Sequence, residues 1–280
     1  MEKAIKKYMP VFVLPTLIAF IIGFIVPFVM GLYLSFCEFT TVTDAKWVGF
    51  KNYLKIFKDT TFIHSLWFTA LFTVAAVITI NVLAFSIALL LTKGIKGTNL
   101  FRTVFFMPNL IGGIVLGYIW QLILNGILLQ FDRTLTYSAS YGFWGLLVLM
   151  NWQQIGYMMI IYIAGIQSIP GDLIEAAKID GATKSQILKK VTIPMVMPSI
   201  TISMFLTLTN SFKLFDQNLA LTAGEPSNKS EMLALNIFNS FYGRSGWEGV
   251  GQAKAVIFLI LVALIGLIQL KLTRKKEVQQ

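Results

Sequence analysis

Charge is what this chain has least of. Only 13% of its 280 residues are Asp, Glu, Lys or Arg, against 56% hydrophobic, and the mean hydropathy is +0.73. Soluble domains carry about a quarter charged residues, so composition alone excludes a soluble globular protein and points to a membrane. The single cysteine, Cys37, excludes an intrachain disulfide and a cysteine metal cluster, and suits a small apolar filler at a helix end. The single histidine, His64, falls just before an apolar run, where a surface or interface role is expected rather than catalysis or ligation. There is no G-x-x-x-x-G-K-[ST] nucleotide loop, so the chain is not expected to hydrolyse ATP. No serine sits in the glycine elbow of a hydrolase, and the few carboxylates lie mostly in loops. Internal repeats, low-complexity tracts and a separate soluble domain are also missing, which leaves one domain over residues 1–280.

What is present is apolar length. A membrane helix needs roughly twenty apolar residues, and six segments qualify: 11–36, 65–91, 104–124, 143–166, 195–215 and 253–272. Lys3, Lys6 and Lys7 precede the first segment, which lacks a small-residue cleavage site and is too long for a signal peptide, so it is expected to be retained. The net charge of +10 fits lipid headgroups and a positive-inside bias better than nucleic acid.

That bias sets the expected orientation. Fourteen of the 23 Lys and Arg fall on one set of loops: Lys3, Lys6, Lys7, Lys93, Lys96, Arg102, Lys178, Lys184, Lys189, Lys190, Lys271, Arg274, Lys275 and Lys276. The richer side is cytoplasmic by this rule, with both termini on it. The opposite first loop carries four lysines, tempered by Asp44 and Asp59. Within it, Val48-Gly49-Phe50-Lys51-Asn52-Tyr53 leads into Leu54-Lys55-Ile56-Phe57. This amphipathic stretch either lies along the membrane surface or packs as the entry to the second span.

One polar island interrupts the apolar pattern, residues 169–198, IPGDLIEAAKIDGATKSQILKKVTIPMVMP. Asp172 and the alanines after it predict a short helix over 172–179. Gly181 is placed to end it in a left-handed cap. Thr183 is placed to cap a second helix over 184–191, closed by Lys189 and Lys190. The residues alone fit a docking elbow or an ordinary loop between spans equally well.

The remaining chemistry is polar residues inside apolar segments, expensive in lipid unless they meet a partner, water or a ligand. They concentrate in the third segment (Asn109, Gly112, Gly113, Tyr118, Trp120, Gln121, Asn125), the fourth (Asn151, Trp152, Gln153, Gln154, Tyr157) and the fifth (Thr207, Thr209, Asn210, Ser211). Hydrogen bonding between helices explains any one of them, whereas the set suggests a solvated path. Amides offer donor and acceptor together, which suits hydroxyls, and Trp and Tyr offer flat faces for a sugar ring. No arginine lies inside the segments, which disfavours a phosphorylated ligand. Lys213 and Asp216, one turn apart, are expected to pair with each other.

Several motifs carry a family resemblance. Glu175-Ala176-Ala177, Asp180-Gly181-Ala182 and Ile193-Pro194 resemble the EAA loop of permease subunits of binding-protein-dependent ABC importers, a pattern of E-A-A, three residues, G, about nine residues, then an aliphatic and a proline. The form IP..L.EAA.IDGA is most similar to the carbohydrate branch, the maltose-transporter type. VGFKNYLKIFKDTTF, FRTVFFMP, NWQQIGYMM and LTAGEP resemble that branch at corresponding places, although Glu225 replaces a glycine of its L-T-x-G-G-P.

The resemblance implies an all-α, six-helix membrane protein with the type I ABC importer permease fold and a cytoplasmic coupling loop at 169–194. It implies a second, different permease subunit, two ATPase subunits that hold ATP and Mg, an extracellular binding protein, and a sugar substrate taken up by alternating access. Nucleic acid is not among the partners. In the coupling loop, Glu175, Ala176, Ala177, Asp180, Gly181 and Ala182 are the implied ATPase contacts. In the substrate path, the implied residues are Asn109, Gly113, Gln153, Gln154, Tyr157, Thr207, Asn210, Ser211 and Leu214. An importer of glycerol phosphate or a polyamine, and a passive channel or scaffold, are the rivals.

Overall fold

The computed structural model describes residues 2–275, apart from the side chains of 2–8 and 10. Lys276 therefore lies outside the described residues, as do the side chains of Lys3, Lys6 and Lys7. The chain opens with α1 (Glu2–Phe20) and α2 (Val26–Leu34), joined through a π-helical turn at Ile21–Ile25. Two short antiparallel strands follow, β1 (Cys37–Glu38) and β2 (Lys46–Trp47), with Cys37 opposite Trp47. Then come α3 (Lys51–Lys58), α4 (Thr60–Leu91), α5 (Thr98–Phe106), α6 (Gly113–Leu128) and α7 (Ala139–Gln167). The polar island forms α8 (Gly171–Ile179), α9 (Lys184–Ile187), a π-helical turn and α10 (Ile193–Met195). The chain ends with α11 (Met197–Phe212), α12 (Asp216–Leu221), α13 (Leu233–Tyr242) and α14 (Glu248–Arg274).

Among the described residues, five stretches are long and apolar enough to cross a membrane: Val11–Leu34, Thr60–Leu91, Gly113–Phe131, Ala139–Gln167 and Glu248–Arg274. A sixth arises only if Lys184–Met195 and Met197–Phe212, bent by 69° at Val196, are taken together. Two expected spans therefore change. The third, expected at 104–124, is broken at its start: α5 ends at Phe106, a 3₁₀ turn covers Met107–Leu110, Ile111 is extended, and the long helix begins at Gly113. Pro108 within FFMPN and the paired Gly112-Gly113 supply the breakage. The fifth, expected at 195–215, ends at Phe212, and Asp216 opens a separate short helix.

The chain divides into two compact units, one holding the N-terminal part through Thr60 together with Ile237–Leu259, the other Thr61–Asn236 with the chain from Ile260 onward. The core of the second unit rests on α4 and α7. Phe72, Ala76, Ile80, Ala84 and Ala88, each four residues apart, form one fully buried stripe of α4. Phe143 of α7 meets Phe68 and Phe72 edge-on at 5.7 and 5.9 Å, and Tyr162 meets Phe85 at 5.3 Å. Small residues set the other crossings, as in membrane interiors where close backbone approach replaces the hydrophobic effect. Gly156 of α7 lies against the backbone carbonyl of Phe105 in α5, Gly117 of α6 against Ala220 of α12, and Gly165 of α7 against Ser199 of α11.

In the first unit, Asp44 caps its own loop. Its Oδ1 accepts the backbone N–H groups of Thr40 and Thr41 at 3.0 Å each, which holds its carboxyl below the usual value. Lys254 of α14 is fully buried, and donates to Asp59 Oδ2 at 2.7 Å and to Ser240 Oγ at 2.6 Å. A buried lysine needs such partners, and this pair pins the end of α3 to α14.

Candidate functional site

Two places on the second unit answer to the expected site residues. The first is a cleft of about 200 Å³ lined by Met150 and Gln154 of α7, Asn210 of α11, Lys213 and Leu214 just after it, and Gln217 of α12. Asn210 Nδ2 donates to Gln154 Oε1 at 3.3 Å across the cleft. Behind it, Gln217 Nε2 donates to Gln153 Oε1 at 2.8 Å, and Gln153 Nε2 to the carbonyl of Ile111 at 3.4 Å in the broken third segment. These bonds leave the Gln154 amide N–H groups as donors, Asn210 Oδ1 and Gln217 Oε1 as acceptors, and the Lys213 ammonium toward the cleft. Met150 and Leu214 supply the apolar surface.

The other expected path residues are placed differently. Thr207 and Ser211 are fully buried and bond back along α11, to Ser203 O and Thr207 O at 2.7 Å each. Thr207 also receives Asn81 Nδ2 at 3.3 Å, while Tyr162 donates to Asn81 Oδ1 at 2.6 Å. That node ties α4, α7 and α11 together. Gly113 faces Asp216 and Gln217, so it seats α12 under the cleft. Asn109 sits half-buried in the 3₁₀ turn, and Tyr157 packs at 6.4 Å from Phe106. The aromatic faces expected for a ring lie outside the cleft, where Trp120 and Trp152 meet edge-on at 5.6 Å. Gln121 and Asn125 hold backbone, at Leu221 O and Leu135 N.

The expected Lys213–Asp216 pair does not form. Lys213 ends α11 and Asp216 begins α12, and the break between them separates the side chains. Gln217 was missed because reading the fifth segment through residue 215 puts it in a loop; the D-Q-N run after Phe215 was the available signal. Asn218 beside it, fully buried, holds the next turn through Ser230 O and Met232 N at 2.9 Å each.

The second place is the elbow. Its backbone follows from capping chemistry. Gly181 has φ of 77°, Ala182 N–H reaches Ala177 O at 2.9 Å and Gly181 N–H reaches Lys178 O at 3.1 Å, a Schellman motif. Thr183 Oγ1 accepts from Gln186 N–H at 3.3 Å and Gln186 Oε1 accepts from Thr183 N–H at 2.7 Å, a reciprocal capping box. Ile174 packs on the core, and Ala177 and Ala182 are half-buried. Glu175, Ala176, Asp180 and Gly181 are exposed, and Ile179 stands 85% exposed beyond them.

Among the described residues, no group of three or more His, Cys, Asp or Glu side chains is placed to hold a metal ion.

The chain matches, over residues 81–278, the family model of the binding-protein-dependent transport system inner membrane component. It is 45% identical, over 96% of its length and 94% of the relative's, to a probable starch degradation products transport system permease protein of Thermoanaerobacterium thermosulfurigenes. It is 31% identical, over 99% of both chains, to a multiple sugar-binding transport system permease protein of Streptococcus mutans. Among solved structures, a chain of a bacterial ABC transporter involved in the import of alginate shares the fold with a TM-score of 0.82, at 21% identity and 98% coverage of both chains. The protein therefore belongs to the binding-protein-dependent transport system inner membrane component family, as a multi-pass, non-catalytic permease subunit of an ABC importer.

Proposed function

We propose that this subunit forms one half of the membrane path of a saccharide importer of the maltose type, and that its elbow converts ATPase closure into movement of the cleft. The observation that carries the reading is connectivity. The elbow joins α7 to α11, and these two helices hold Gln154 and Asn210. Each residue lies thirteen positions from its helix's elbow end, about 20 Å along the axis, so a tilt imposed at the elbow reaches both sides of the cleft together. A second permease subunit supplies the opposite wall, since about 200 Å³ is below the roughly 300–1,000 Å³ of an enclosed ligand site. Two ATPase subunits bind ATP and Mg, and an extracellular binding protein delivers the sugar. Six crossings, counting the bent pair as one, put both termini and the elbow on the same side, and the excess of Lys and Arg there favours the cytoplasm. Maleimide that cannot cross the membrane then modifies Ser227→Cys in sealed cells and leaves Lys184→Cys untouched; the reverse pattern inverts the topology.

The substrate class follows from the lining. Three amides, an ammonium and two apolar side chains match the hydroxyls and C–H faces of an oligosaccharide or glycoside, in keeping with the starch-product and multiple-sugar relatives. Gln154→Ala and Asn210→Ala each remove about one kcal/mol of hydrogen bonding. Uptake efficiency is expected to fall about fivefold for each, with unchanged assembly. Because the two side chains bond each other, the double variant falls by less than the product. Full uptake by both variants removes these residues from the path. One observation favours a second reading: Lys213 lines the cleft with no carboxylate partner among the described residues, which suits an acidic saccharide. Under it, Lys213→Gln abolishes uptake of a uronate-containing oligosaccharide and spares a neutral one.

A further inference from the structure

The short helix α3 is held in place by one face and leaves another bare. Asn52, 2% exposed, donates through Nδ2 to the carbonyls of Ser35 and Cys37 at 3.0 and 2.8 Å, directly beyond the end of the first span at Leu34. Tyr53 OH meets Ser35 Oγ at 2.7 Å. Gly249, in the first turn of the last span, touches Cys37 O and Asn52 Nδ2. Ile56 is fully buried on the same side, and Asp59 binds Lys254 further along α14. The helix is thus fixed where two membrane spans end, within one compact unit.

Its other side carries Phe50, Leu54 and Phe57, which are 69%, 64% and 71% exposed. At 100° per residue they fall within about 60° of one another, opposite Asn52 and Ile56. Lys51, Lys55 and Lys58 form a second stripe beside them. Lys51 is taken up by Glu38 at 3.1 Å, while among the described residues no carboxylate lies within ion-pair distance of Lys55 or Lys58. The bare face is continuous with the surface of the first span through a ladder of rings. Tyr33, on that span and 53% exposed, lies 5.7 Å from Trp47; Trp47 lies 5.2 Å from Phe36, and Phe36 5.3 Å from Phe50. Trp and Tyr at a span's end mark the headgroup level of a bilayer, and an apolar stripe flanked by lysines is the pattern of an interfacial helix.

From this we infer that α3 is a lipid-docking element: Phe50, Leu54 and Phe57 insert among the acyl chains of the leaflet at that end of the first span, and Lys55 and Lys58 bind anionic phosphate headgroups. The surface is occupied by membrane and not by the binding protein or another subunit. It anchors the β1–β2 hairpin and the ends of two spans while the rest of the permease moves.

Spin labels at Leu54→Cys, Phe57→Cys and Lys58→Cys test this in the assembled importer in nanodiscs. Cys37, being fully buried, stays in place with the unsubstituted chain as the background control. The ratio of collisions with oxygen to collisions with a water-soluble nickel chelate is expected to be several-fold higher at 54 and 57 than at 58, with or without binding protein. Equal chelate access at all three positions puts the face in water and overturns the proposal. Shielding of 54 and 57 from both quenchers, or only on adding binding protein, assigns the face to a protein and also overturns it. In discs containing phosphatidylglycerol, Lys55→Gln with Lys58→Gln is expected to lower the ratio at 57 several-fold, with no change in phosphatidylcholine discs. Equal ratios in the two lipids refute the headgroup contact.

Discussion

Replacing Gly156 with alanine is expected to prevent stable assembly of the permease. A methyl at that position overlaps the carbonyl group of Phe105 and the amide nitrogen of Phe106. Those are backbone atoms, so no rotamer change relieves the clash, and α5 must move off α7. Overpacking of this kind costs typically about 1–3 kcal/mol when side chains can shift, and about 3 kcal/mol or more is expected here. The displacement also reaches the site, because the 3₁₀ turn after α5 leads to Ile111, whose carbonyl receives Gln153. Gly126→Ala is the matched control. It lies within α6 with nothing near its added methyl, and alanine there is expected to stabilise by about 0.5–1 kcal/mol. Thermal inactivation of the solubilised complex separates the two, and equal stability of the two variants would mean that α5 and α7 do not pack as described.

Gly181→Val is expected to abolish coupling while leaving the membrane part intact. The backbone at 181 has φ of 77°, where an L-residue is strained by about 1–2 kcal/mol, and a β-branched one is worse placed still. Nothing lies within 4 Å of an added methyl, so the effect acts on the backbone turn and not on packing. Losing the left-handed cap frees Ala182 and Gly181 from the carbonyls of Ala177 and Lys178, and α9 points elsewhere. Ala177→Trp attacks the same surface by bulk, and Glu175→Ala removes a polar contact with a smaller loss. Binding-protein-stimulated ATPase of purified, correctly assembled complexes reads the result. Near-complete loss is expected for Gly181→Val and Ala177→Trp, and normal stimulation in both would reduce the elbow to a connecting loop.

The two short helices of the elbow were legible because their signals are local: a glycine where φ is positive, a threonine at an N-cap, acids first and lysines last. The spans were legible because apolar length is a property of a window. The same averaging hid the break at Met107–Leu110, since Pro108 sits among apolar neighbours that carry the window across. Strands β1 and β2, two residues each, are too short for an alternating pattern to register. In the cleft, Gln154, Asn210 and Leu214 were reachable from the sequence through the resemblance of NWQQIGYMM and LTAGEP to the family's motifs. Lys213 and Gln217 depend on how the chain turns after Phe212, which no periodicity records. Thr207 and Ser211 look like lining residues in sequence, yet a hydroxyl in a helix satisfies itself on the carbonyl four residues back, and both do so.

The most direct measurement of the central claim is transport by the complete importer in proteoliposomes, with binding protein outside, ATP inside and a radiolabelled oligosaccharide supplied outside. The account predicts accumulation against a gradient that requires ATP and binding protein, is lost with Gly181→Val, and is lowered about fivefold by Asn210→Ala. Equilibration without ATP, or accumulation that Gly181→Val and Asn210→Ala both leave unchanged, would contradict it.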